Sequence, residues 1–233
     1  LYAKWKTKKY AVNFNVDGGN GDITGMLNGS SFSTGKEVEH GNTVEFSAKP
    51  KEGYKVDKWS ITTDSALIDG GTDGSKTAKV KITTNTTVTV SFKKISYKVI
   101  FDAKGGLPVP TEQHVLYKEK ASAPTVPAKE GYDLEGWFNK DGDAPWDFTV
   151  NEVTKDTNLY AKWKTKKYAV NFNVDGSNGT LKAKLDGKPF TGGDINSGKT
   201  VVFTAEPDEG YAVEQWTLNG TEAPASAVST TYQ

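Results

Sequence analysis

Apolar and polar residues alternate along this chain in short runs, and no window of a dozen residues shows helical periodicity. Tyr10, Val12, Phe14 and Val16 alternate against Ala11, Asn13 and Asn15, the pattern of a half-buried strand. Val44 and Phe46 alternate within residues 43–48, and residues 79–82 and 87–92 read as two further strands. Tyr97-Lys-Val-Ile-Phe101 opens the next block, a polar strand is expected over residues 111–117, and residues 158–163 put Leu159, Ala161 and Trp163 on one face. Between these runs lie turn signals: Asp-Gly-Gly-Asn-Gly at 17–21, Asn28-Gly29, a Gly-rich loop over 69–75, Gly105-Gly106, residues 139–143 and Asp186-Gly187. Asn-Gly and Asp-Gly suit the two positive-φ positions of a type I′ hairpin. Residues 149–155 leave room for one helical turn and no more. The expectation is a mainly β protein with little or no helix.

One pattern recurs. Glu-Gly-Tyr followed by Trp five residues after the Tyr occurs at 52–59, 130–137 and 209–216, so the chain is a tandem array. The signature positions are Gly53, Tyr54 and Trp59, then Gly131, Tyr132 and Trp137, then Gly210, Tyr211 and Trp216, with Leu159 and Trp163 in the strand that ends the middle unit. The Gly fits a positive-φ position that opens a strand. In strict alternation Tyr132 and Leu134 face one way and Trp137 the other. Either both faces are covered or a bulge, for which Gly136 is a candidate, re-aims the Trp.

Residues 1–18 recur without change as 159–176, which marks a duplication. Leu1-Tyr-Ala-Lys-Trp5 reads as the last strand of a unit whose body lies upstream, and the chain, with no initiator Met or signal-peptide pattern, reads as a piece of something longer. The expected division is 1–9 (closing strand and joint), 10–93, 94–164 and 165–233, beads on a string with joints of about four residues. The third unit follows the first with one residue deleted before Gly198 and stops before any counterpart of residues 87–92. Units of about 65–85 residues carry thin but workable cores.

Charge and composition narrow the function. Lys plus Arg and Asp plus Glu both number 29 and every basic residue is Lys, which disfavours a polyanion partner and the bidentate Arg contacts of nucleic-acid readout. The absence of Cys removes disulfides, thiolate metal sites and a cysteine nucleophile. No apolar run approaches the ~20 residues of a membrane-spanning helix, so no membrane insertion is expected in this segment.

The chemistry-bearing residues are few. His40 and His114 have no nucleophile elbow near any Ser. Asn139-Lys-Asp-Gly-Asp143 and Asp69-Gly-Gly-Thr-Asp73 lack the spacing of a calcium loop and read as turns. The glycines at 18–21 and 70–71 precede strands or loops, which gives no phosphate site. No catalytic residue, cofactor site or metal site is expected. Of six Trp, five occupy repeat positions and read as core, Trp5 among them, whereas Trp146 follows Pro145 in polar surroundings and is the candidate contact aromatic. Lys4, Lys6, Lys8 and Lys9 and again Lys162, Lys164, Lys166 and Lys167 flank the joints. Such lysines read either as a solvated face that blunts strand edges or as contacts to an acidic polymer, with Lys164, Lys166 and Lys167 the candidates.

Residues 97–163 resemble the Listeria–Bacteroides repeat, the B repeat of internalin B. The resemblance rests on Tyr97-x-Val-x-Phe101, Gly105-Gly106, Pro127, Gly131-Tyr132, Gly136-Trp137, Trp146-x-Phe148 and Leu159-Tyr-Ala-Lys-Trp163. Residues 10–92 and 168–233 are similar to the divergent branch of that family through Gly-Asn-Gly, Thr-Val-x-Phe-x-Ala-x-Pro-x-x-Gly-Tyr and the Val-Thr-Val-Ser-Phe92 ending. The resemblance implies small β-grasp-like modules in large bacterial surface proteins, extracellular and cell-wall anchored or secreted, with no catalytic residues. It implies a stalk or spacer, with two alternatives: adhesin repeats that bind host glycan or matrix protein, and accessory modules of a secreted glycan-degrading enzyme.

Overall fold

A computed structural model describes residues 1–62, 66–223 and 231–232. Every regular element among them is a strand, as the alternation predicts. The chain forms two compact units: Leu1–Ile100 with Thr111–Pro124 and Trp146–Leu159, and Phe101–Pro110 with Thr125–Pro145 and Tyr160–Gln233.

The first repeat lies in the first unit and contains β1 (Lys9–Asp17), β2 (Gly21–Leu27), β3 (Ser30–Phe32), β4 (Lys36–Glu39), β5 (Thr43–Pro50), β6 (Tyr54–Thr62), β7 (Ala66–Gly70), β8 (Thr77–Lys81) and β9 (Thr86–Lys94). Two sheets form, in the orders β4-β1-β9-β6 and β3-β2-β5-β8-β7. Strand β9 closes the first sheet from within. It runs parallel to β1, from Val12 opposite Thr86 to Asp17 opposite Ser91, and antiparallel to β6. Its inward residues Thr86, Val88 and Val90 are buried, and Val88 and Val90 pack with Val12, Val44, Phe46 and Val80. Phe14 meets Phe32 and Phe46 edge-on at 5.6 and 5.7 Å. Each such apolar side chain removed from water contributes about 1.5–3 kcal/mol, so the inward row of β9 holds both sheets of this repeat. The loop expected over 69–75 is shorter than the sequence suggests, because Asp69 and Gly70 end β7, which pairs with β8. Ala66, Leu67 and Ile68 are consecutive apolar residues and carry no period of two.

The middle repeat contains β10 (Ser96–Asp102), β11 (Gln113–Leu116), β12 (Glu119–Lys120), β13 (Tyr132–Phe138), β14 (Glu152–Val153) and β15 (Thr157–Thr165), in sheets ordered β11-β10-β15-β13 and β12-β14. Here β15 holds the place of β9, with Leu159 and Ala161 buried. The bulge question has a definite answer. In β13 the register shifts between Leu134 and Gly136, and in β6 between Val56 and Lys58. The extra residues are Glu135, one position before the glycine singled out, and Asp57, so the bulge occurs in the first two copies. It brings Trp59 and Trp137 back to the core face, where both are buried.

The third repeat lies in the second unit and contains β16 (Lys167–Val170), β17 (Gly179–Leu185), β18 (Lys188–Phe190), β19 (Gly193–Asn196), β20 (Val201–Pro207), β21 (Thr217–Leu218), β22 (Thr221–Glu222) and β23 (Thr231–Tyr232). Its sheet β18-β17-β20-β23 repeats the first repeat's β3-β2-β5-β8 arrangement; Phe172 meets Phe203 edge-on at 5.2 Å, as Phe14 meets Phe46, but lies tilted by 35° against Phe190 at 6.3 Å. The other sheet is reduced to β16-β19. Asn28 with Gly29 and Asp186 with Gly187 take the positive φ of the hairpin turns read from sequence. Residues 1–5, expected as a strand, are exposed and outside any sheet, so Trp5 is 90% exposed instead of core. A strand needs a neighbouring edge, and among the described residues there is none beside it.

Candidate interaction surfaces and module joints

The joints are single residues. Strand β9 ends at Lys94 and β10 begins at Ser96, and β15 ends at Thr165 where β16 begins at Lys167. Both joints are built the same way. Ile95 N–H donates to the Gly53 carbonyl at 2.8 Å and Tyr117 N–H donates to the Ile95 carbonyl at 2.9 Å. At the second joint Lys166 N–H donates to the Gly131 carbonyl and Ser197 N–H to the Lys166 carbonyl, each at 2.8 Å. His40 N–H and the Lys8 carbonyl repeat the latter contact at the start of the chain, at 2.8 Å.

The Glu-Gly-Tyr glycine thus has a second role. Gly53 and Gly131 adopt φ +77° and +74°, the turn that sequence anticipates. In addition, a Cβ on Gly53 would overlap the Tyr117 ring, and one on Gly131 would lie 2.6 Å from Ser197 Oγ. The glycine admits a residue of the following repeat. Tyr117 is buried, and its hydroxyl donates to Glu52 Oε1 at 2.8 Å, which raises the phenol above its ordinary range. No sequence pattern marks this role, because the residue facing the glycine is Tyr117 at one joint and Ser197 at the other.

The candidate lysines sit at the second joint. Lys164 is exposed on β15 opposite Asp133, the Lys166 ammonium lies 3.6 Å from the Asp133 carboxylate, and Lys167 is exposed at the start of β16. Lys162 instead covers the Phe138 ring at 4.0 Å and donates to the Gly142 carbonyl at 3.3 Å. Asp133, paired with the Lys166 ammonium, lowers the net positive field of the cluster.

Trp146 is half-buried, and its indole N–H is buried without an acceptor among the described residues. The next residue starts a tight turn in which Asp147 Oδ1 accepts from Thr149 N–H at 2.7 Å and from Thr149 Oγ–H at 2.6 Å. Those bonds hold the Asp147 carboxyl below its ordinary range. The other signature aromatics are structural: Trp59 Nε1 donates to the Ser75 carbonyl at 2.8 Å and Trp163 Nε1 to the Ala103 carbonyl at 2.9 Å. Trp137 is buried against Phe101 at 5.1 Å, Leu159 is fully buried, and Trp216 is half-buried. Tyr54 is half-buried, Tyr132 and Tyr211 are exposed, and Gly210 takes φ +84° with open space where a Cβ would be. His114 is exposed beside Glu112, and His40 stacks near Tyr10. Gly142 N–H closes onto the Asn139 carbonyl in an ordinary turn. Among the described residues no His, Cys, Asp and Glu cluster is arranged to hold a metal, and no helix is long and apolar enough to cross a membrane.

These features define a tandem array of small all-β repeats, the first two of which share a closing strand and a joint glycine. The divergent InlB B-repeat domain matches residues 10–96 and 171–233, and the Listeria–Bacteroides repeat domain matches residues 97–162. The chain belongs to the divergent InlB B-repeat family, with a Listeria–Bacteroides repeat between its two divergent copies. It is 28% identical over 93% of its length to a protein of Evansella cellulosilytica named only as a membrane protein, and covers 29% of that protein. It is 32% identical over 42% of its length to internalin H of Listeria monocytogenes, covering 20% of it. The chain spans less than a third of the length of the curated relatives it matches.

Proposed function

We propose that this chain is a non-catalytic, extracellular repeat region of a bacterial surface protein that acts as a stalk. The observation that carries this reading is the joint built twice over. A one-residue connection is pinned by two backbone hydrogen bonds and by a glycine that admits a residue of the next repeat. A flexible linker has neither feature. Family membership and the similarity to internalin H support a surface location. Small-angle scattering tests the reading: three repeats in line span on the order of 80–100 Å by the size scaling of compact domains. A compact globule would overturn it.

A second reading is that the array binds host glycan or matrix protein directly. Trp146, with its unpaired indole N–H, and Lys164, Lys166 and Lys167 at the joint support it. Its test is a binding screen at physiological salt. A saturable, salt-tolerant hit lost in Trp146→Ala favours adhesion, whereas a hit lost at modest salt reduces the lysines to nonspecific charge contacts.

A further inference from the structure

Asn-Gly occurs four times, at Asn20-Gly21, Asn28-Gly29, Asn178-Gly179 and Asn219-Gly220, and every other Asn is followed by a residue with a side chain. The main-chain nitrogen after an Asn can attack the Asn side-chain amide, and a Cβ on that next residue crowds the attack, so these four are the reactive pairs. The structure sorts them by how firmly the attacking nitrogen is held. Gly21 begins β2, pairs with Pro50 and lies so close under Phe92 that a Cβ there would overlap the ring. Asn20 is half-buried, its carbonyl accepts from Lys51 N–H at 3.0 Å and its side-chain amide donates to the Gly18 carbonyl at 3.3 Å. Gly179 begins β17 in the ladder with β20, and the Asn178 carbonyl accepts from Asp208 N–H at 3.0 Å. Asn28 and Gly29 are held by much less. Both are exposed, with φ +52° and +78°, and they form the two-residue turn between Leu27 and its partner Ser30. Nothing lies within 4 Å of the place a Cβ on Gly29 would take. Asn219 and Gly220 hold the same kind of turn between Leu218 and Thr221, at φ +54° and +79°. Strand β3 is the edge of its sheet and joins β2 through three residue pairs, so the Asn28 turn opens without disturbing the core.

We propose that Asn28 is a site of spontaneous deamidation, a covalent modification with water as its co-reactant. In the opened turn the Gly29 nitrogen gives up its proton and attacks Asn28 Cγ. The new C–N bond closes a cyclic imide, the Cγ–Nδ2 bond breaks, and the side-chain nitrogen leaves as ammonia with the proton the glycine nitrogen gave up. Water then opens the imide at one of its two carbonyls. Attack at the side-chain carbonyl leaves an aspartate at position 28. Attack at the main-chain carbonyl leaves an isoaspartate, whose backbone runs through Cγ. The third repeat shows how the turn takes the first product. Asp186 stands at the position of Asn28, and Asp186 and Gly187 adopt φ +50° and +77°, so an aspartate fits the same turn. There the carboxylate lies 2.9 Å from the Lys199 ammonium, whereas the first repeat carries Asn42 at the position of Lys199. The isoaspartate is different. It lengthens the main chain of a turn whose length sets the hairpin register, so it loosens β3 from β2. Either product adds one negative charge to a chain in which basic and acidic residues balance at 29 each.

The test holds the whole 233-residue chain in mildly alkaline buffer, folded and in parallel unfolded in urea, and follows each Asn-Gly by peptide mapping and mass spectrometry. In the folded chain Asn28 should lose ammonia at least about tenfold faster than Asn20 or Asn178, and urea should abolish the difference by releasing all of them. Isoaspartate, read by an isoaspartate-specific methyltransferase, should appear at position 28, and the β3 amides of that fraction should exchange faster. Asn28→Asp should keep the β3 amides protected, since the Asp186 turn has the same backbone. Asn28→Gln should stop ammonia loss at this position and leave the other three pairs as they were. Equal rates at Asn28 and Asn20 in the folded chain would overturn the proposal. So would a folded chain that keeps Asn28 intact while the unfolded chain converts it. The scattering test of the stalk does not depend on any of these results.

Discussion

Replacing Gly53 by Ala probes the joint most directly. Two costs are imposed together. The backbone at φ +77° is left-handed, which costs a residue with a Cβ about 1–2 kcal/mol. The new methyl also enters the space of the Tyr117 ring, which is buried and tethered to Glu52 by a 2.8 Å hydrogen bond. Forcing a methyl into such a site costs about 1–3 kcal/mol more. Gly210→Ala carries only the first cost, since φ is +84° and nothing lies within 4 Å. The discriminating experiment is a double-mutant cycle of Gly53→Ala with Tyr117→Ala, read by urea unfolding with amide signals of β6 and β10 as separate probes. Truncating the ring removes the overlap, so the two substitutions should couple by about 1–3 kcal/mol, with Gly53→Ala nearly as mild as Gly210→Ala in the Tyr117→Ala background. Additive losses would show that Gly53 serves the turn alone and would remove the main support for a stiff joint.

Other expectations follow from single contacts. Trp59→Phe and Trp163→Phe keep most of the ring but lose the bonds to the Ser75 and Ala103 carbonyls, so each should lower unfolding free energy by about 1 kcal/mol in its own repeat. Amides 13–16 should exchange much more slowly than the identical amides 171–174 in the free chain, and equal exchange would contradict the pairing seen in β1. Thr149→Val removes the hydroxyl hydrogen bond that does most to depress the Asp147 pKa, so the carboxyl should titrate closer to its ordinary 3.8 by carboxyl-carbon NMR. Because the folded pKa is the lower one, the stabilisation from Asp147 is present above the ordinary carboxylate range and fades as pH falls through the folded value.

Much of the architecture was legible in the sequence because it rests on local chemistry. Alternation at Tyr10 to Val16 and at Thr87 to Phe92 marks strands whatever their partners, and Asn28-Gly29 and Asp186-Gly187 take positive φ by their own residue types, a short polar side chain and the absence of a Cβ. The repeats, their order and their family are carried by residue identity alone. The site was less legible. A joint contact joins residues as far apart as Gly53 and Tyr117, and the facing residue varies, so no spacing announces it.

The tertiary structure decided what neighbours decide. Leu159-Tyr-Ala-Lys-Trp163 is a buried strand while the identical residues 1–5 are exposed and unpaired. The following eight residues reverse the outcome: 10–17 are strand throughout, 168–175 only as far as Val170. One sequence of eighteen residues therefore has two structures in the same chain. An α-helix closes its hydrogen bonds within itself, but a strand must find them on another segment. Sequence determined that these residues alternate and turn; the presence of an adjacent edge determined which of them became sheet.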